Sequence, residues 1–142
     1  MTTKSKTAIA LVIAFAVTLT IGVMLHLKSQ GMLIQPRGVL KVVHWTAGYV
    51  MTVLLFIHWN GFRRVLAAMR RRFPWFFGDT WLVIILFIIT LLTGTVKLLS
   101  PVKIPHLGLW HYGFGIAMSI VAGIHIALGV SASRHSAVKR TS

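Results

Sequence analysis

Residues 39–59 read VLKVVHWTAGYVMTVLLFIHW. The run has about twenty residues, the length at which an α-helix crosses the ~30 Å hydrocarbon core of a bilayer. Three other runs match it: Thr7 to Leu27, Trp81 to Leu99 and Leu107 to Val130. All four are too long for barrel strands and lack their alternation. The expected fold is all-α, an integral membrane four-helix bundle with helices near 7–27, 39–59, 81–99 and 107–130, the whole of 1–142 forming a single transmembrane domain.

Composition points the same way. Hydrophobic residues make up 56% of the 142 and charged residues 11%, against roughly 25% charged in soluble domains. The breaks between runs carry turn-forming residues: Gln35-Pro36-Arg37-Gly38, an Asn60-Gly61 pair expected to cap the second helix, Pro74, Pro101 and Pro105. Proline inside a helix removes a hydrogen bond and clashes with the preceding turn, so its confinement to the breaks supports these boundaries. Short connections predict antiparallel neighbours in up-down-up-down order. The N-terminal run is longer than the apolar region of a secretory signal and is read as an uncleaved first helix.

The formal charge is +14, with 15 Lys and Arg against one acidic residue, Asp79. The cations lie between the apolar runs, where they meet anionic lipid headgroups, and not in a patch suited to nucleic acid. Ten fall in the N-terminal tail, second connection and C-terminal tail, and five in the other two connections. The positive-inside rule then puts both termini in the cytoplasm, as expected for a multi-pass protein of a bacterial inner membrane. Tryptophans at both ends of the runs make an interfacial belt. Residues 62–72, FRRVLAAMRRR, form a candidate helix lying on the inner membrane surface.

There is no cysteine, which excludes disulfides, thiolate metal sites, Cys-ligated iron–sulfur clusters and covalent haem attachment. A single acidic side chain excludes paired-carboxylate catalysis.

Ionisable groups inside a span are expensive and point to function. His44 and His58 stand fourteen residues apart on the second run, and His111 and His125 fourteen apart on the fourth. That spacing returns the second imidazole to within roughly 40° of the first, about 21 Å along the axis. Residues 44–59 (HWTAGYVMTVLLFIHW) align with 111–126 (HYGFGIAMSIVAGIHI). Both read His-aromatic-x-x-Gly, with Met seven residues after the first His and Ile before the second. Gly48 and Gly115 fall one turn below the upper histidines, where a missing side chain makes room for a flat ring. Neutral imidazole is a standard axial ligand for haem iron. The pattern predicts two b-type haems, His44 with His111 and His58 with His125, and Lys41, Arg63 and Arg64 as partners for propionates.

Other polar residues carry less. His106 sits about 100° off the His125 face. His26 ends the first helix near the outer surface, and His135 lies in the tail. Met51 and Met118 read as core filler. The third helix reads as packing, with Thr90, Thr93 and Gly94 on its interior face.

Paired histidines on four helices resemble the membrane cytochromes b, most closely the four-helix flavinylation-associated cytochromes and the cytochrome b subunits of formate dehydrogenases. The specific part of the resemblance is confined to 44–59 and 111–126. In the formate dehydrogenase subunits one ligand comes from the first helix. Here the second run holds both His44 and His58, similar to the respiratory cytochrome b core. The resemblance implies electron exchange between membrane quinone and a redox-partner subunit on the outer face. Two alternatives stand beside it: a stand-alone oxidoreductase passing electrons from a small donor such as superoxide to quinone, and a histidine-based proton or metal transporter subunit.

Overall fold

A computed structural model describes residues 3–33, 36–72 and 74–138, with side chains at 6–33, 36, 38–63 and 77–131. It is all-helical in those residues: α1 (Thr3–Ser29), α2 (Arg37–Arg72), α3 (Pro74–Leu99) and α4 (Leu107–Val138). Each contains a stretch long and apolar enough to cross a membrane: Lys6–Ser29, Gly38–Arg63, Phe77–Leu99 and Leu107–Ser131. The chain divides into two compact units, Met1–Leu66 and Ala67–Ser142. The first holds α1 and most of α2; in the second, α3 packs along α4.

Local chemistry explains the ends. Gly31 has φ 101°, and the amides of Gly31 and Met32 donate to the carbonyls of Lys28 and Leu27 at 3.1 and 3.3 Å. This is a Schellman cap, which needs a residue that tolerates positive φ. Pro74 is the first residue of α3, where its missing N–H costs nothing. His106, at φ 60°, precedes α4, and its carbonyl accepts from Trp110 N at 3.0 Å.

The cap expected at Asn60-Gly61 does not form. α2 runs through it to Arg72, so residues 62–72 continue the second helix and are not a separate one. Gly61 costs an interior turn about 1 kcal/mol, which the Arg, Leu, Ala and Met that follow readily offset. The side chains of 64–72, Arg64 among them, lie outside the described residues.

The outward surface is apolar on every helix: Ile13, Val53, Leu92 and Ile120 are all exposed, and Phe56 is 68% exposed. In water such a surface would drive aggregation; in lipid it is the ordinary exterior. Hydroxyls inside the spans turn back on their own helix. Thr18, Thr52, Thr90, Thr93 and Ser119 each donate to the carbonyl four residues earlier, at 2.7–2.9 Å. A part-buried hydroxyl among apolar side chains has no water to bond, so the preceding turn is its nearest acceptor.

Candidate functional site

The upper histidines are each held by the preceding helix of their own unit. In the first unit His44 Nδ1 donates to the carbonyl oxygen of Thr18, 3.0 Å away on α1. In the second, His111 Nδ1 donates to the carbonyl oxygen of Thr90, 3.1 Å away on α3. A carbonyl oxygen only accepts, so each Nδ1 must carry the proton. The neutral ring then has its lone pair at Nε2. Thr93 Oγ1, 3.2 Å from His111 Nδ1, adds a second acceptor, because its own proton is directed at the Ile89 or Thr90 carbonyl.

Both bonds depend on a glycine. A Cβ built on Gly22 would meet His44 Cε1 at 3.0 Å, and one on Gly94 would meet His111 Cε1 at 2.9 Å. Four residues after a threonine, each glycine lies beside the carbonyl that the imidazole reaches. Any side chain there would push the ring off its acceptor.

The two hairpins share this arrangement position by position. Thr18 and Thr90, Gly22 and Gly94, and Phe15 and Phe87 are all 72 residues apart. On the second helix of each hairpin, His44 and His111, Gly48 and Gly115, Met51 and Met118, Thr52 and Ser119, and His58 and His125 are all 67 apart. Met51 and Met118, midway between the histidines of their helices, are buried to 6% and 7% exposure. The hydroxyl bonds repeat as well: Thr52 to the Gly48 carbonyl and Ser119 to that of Gly115.

The lower histidines differ from each other. His125 Nδ1 donates to Asp79 Oδ2 at 2.8 Å, and the Asp79 side chain is 11% exposed. The carboxylate, like the carbonyls above, puts the proton on Nδ1. Asp79 is the only acidic residue in the sequence. His58 stacks on Phe62, one turn on along α2, with ring centroids 4.5 Å apart and planes at 27°.

The remaining candidates spread out. Among the described residues nothing lies within 4 Å of a Cβ built on Gly48, and a Cβ on Gly115 would meet only Thr90 Cγ2, at 3.9 Å. Lys41, one turn before His44, is exposed, as is Arg63. His106 is exposed and outside α4, and His26 lies in the last turn of α1. A cation not singled out from the sequence comes close instead: a Cβ on Gly108 would lie 3.3 Å from Lys97 Nζ, and Gly108 is one turn before His111.

From the sequence the third helix reads as packing, with Thr90, Thr93 and Gly94 on its interior face. The signal this reading passes over is the pair TLTIG (18–22) and TLLTG (90–94), visible when the first and third runs are set against each other. Compared with known proteins, the chain matches no family model, no curated protein and no solved structure.

What this arrangement can do is limited by its donors. Three imidazoles have Nδ1 donating to an acceptor, the orientation that turns Nε2 to a metal when histidine is a ligand. Their oxygen partners orient the rings. This donor chemistry fits axial ligation of haem iron.

Proposed function

We propose that the chain is a di-haem b-type cytochrome carrying electrons across a membrane between quinone and a redox partner. The observation that carries this reading is the paired seat of His44 and His111: imidazole Nδ1 on a helix carbonyl, ring against a glycine, at equivalent positions of two hairpins. A structural histidine needs a hydrogen bond. It does not need the same tautomer imposed twice by the same two residue types.

In this reading His44 and His111 are the ligands of an outer haem, and His58 and His125 of an inner one. Haem supplies a one-electron iron couple and the protein supplies ligation, orientation and charge. Thr18 and Thr90 hold the upper rings through their carbonyls, while Gly22 and Gly94 leave space for them. Lys97, Lys41 and Arg63, with Arg64, are cations suited to propionates. Apolar outer faces keep water from the path between the two levels.

The bundle runs up-down-up-down with both termini in the cytoplasm, in a bacterial inner membrane, its loop cations on lipid headgroups. A redox-partner subunit docks on the outer face. The chain works as the electron-transfer subunit of a membrane oxidoreductase.

One observation favours a second reading. The Asp79–His125 pair, a carboxylate and an imidazole 2.8 Å apart at the end of a span, is a unit a proton relay would use. A relay gives no role to Gly22 and Gly94.

An optical spectrum of the purified protein, oxidised and then dithionite-reduced, with haem counted per chain, decides between them. Two low-spin b haems per chain are expected. A colourless protein, prepared with haem supplied during expression, sinks the cytochrome reading and leaves the relay.

A further inference from the structure

The one acidic side chain in a chain of formal charge +14 is Asp79. Among the described residues it meets a histidine, His125, at 2.8 Å, and is largely shielded from solvent. Keeping a carboxylate shielded at the end of an apolar span is costly unless it is well paired. At the equivalent place in the other hairpin, 72 residues earlier, stands Thr7, which bears no charge. His44 and His111 donate to neutral carbonyls. One histidine of the four is therefore backed by a full negative charge.

We infer that Asp79 is a positioning residue that acts through His125, fixing the ring and lowering the reduction potential of the haem which that histidine ligates. The inference rests on the di-haem reading above. A carboxylate accepting from Nδ1–H shifts electron density toward Nε2, giving the ligand imidazolate character. Such a ligand stabilises ferric over ferrous iron, as does the nearby negative charge itself. The two haems are thus unequal, and the first electron added at equilibrium resides on the haem ligated by His111. Lys97, which reaches the turn before His111, reinforces that order.

The test is a redox titration of the haem-loaded full chain and of Asp79→Asn, followed optically and by the low-spin ferric signals in electron paramagnetic resonance. One midpoint is expected to rise in Asp79→Asn while the other stays, with two haems retained and one ferric signal altered. Two haems with unmoved midpoints overturn the assignment of Asp79 and leave the di-haem reading intact. An unaltered chain that binds no haem overturns both. Should Asp79→Asn shed a haem, the same titration on Asp79→Ser decides, since a hydroxyl still accepts from Nδ1–H but carries no charge: one raised midpoint supports the assignment, and midpoints identical to those of the unaltered chain overturn it.

Discussion

His111 and Gly94 are in such close approach that a single methyl group on the glycine would stand 2.9 Å from the Cε1 atom of the imidazole. The carbonyl that fixes this ring belongs to Thr90, one turn earlier on α3. Donor, acceptor and space are therefore supplied together, and altering any one tests the others.

Gly94→Ala is expected to displace His111 and shed one haem per chain, and Gly22→Ala to do the same through His44. Overpacking of this kind costs about 1–3 kcal/mol, less than the fold requires. Haem content should fall from two to one while the helical circular dichroism is unchanged.

Ligand substitutions should pair. His44→Ala and His111→Ala are each expected to remove the same haem, and His58→Ala and His125→Ala the other, as judged from the split α-band of the reduced protein. Loss of different bands by His44→Ala and His111→Ala would refute the pairing.

Thr18 and Thr90 hold the upper rings through main-chain oxygens, so the hydroxyls of these two threonines are dispensable. Thr18→Val and Thr90→Val remove only the hydroxyl bonds to Ala14 and Leu86. They should leave haem content and midpoints unchanged. Thr93→Val removes an acceptor 3.2 Å from His111 Nδ1 and should shift one midpoint, at a cost of about 1 kcal/mol in stability.

Gly31→Ala puts a side chain at φ 101°. A left-handed backbone costs a non-glycine residue about 1–2 kcal/mol, so a lower melting temperature in detergent is expected, with the spectrum of any bound haem unaffected.

Val53, exposed near the middle of its span, should face lipid. Val53→Arg is expected to disfavour insertion of that helix by about 3 kcal/mol, measurable as the inserted fraction in a glycosylation-mapping assay. Undiminished insertion would place Val53 away from lipid.

The spans and the histidine spacing were legible in the sequence because both are local. Hydropathy over about twenty residues and an angle of about 100° per residue need no knowledge of neighbours. Helix ends were less legible: Asn60-Gly61 looks like a stop, yet the helix-forming residues after it carry α2 on to Arg72. Repetition within α2 and α4 was evident from His-aromatic-x-x-Gly. The matching repetition in α1 and α3 was not, since Thr and Gly in an apolar run resemble ordinary packing residues.

By itself, then, the sequence determined that this protein has four helices long and apolar enough to span a membrane, with a histidine near each end of the second and fourth apolar stretches. Only the tertiary structure decided what stands behind those histidines. Thr18 meets His44 across 26 residues, Thr90 meets His111 across 21, and Asp79 meets His125 across 46. The physical reason is register. How far one antiparallel helix slides along the next is set by loop length and side-chain interlock, which no periodicity within a single helix encodes.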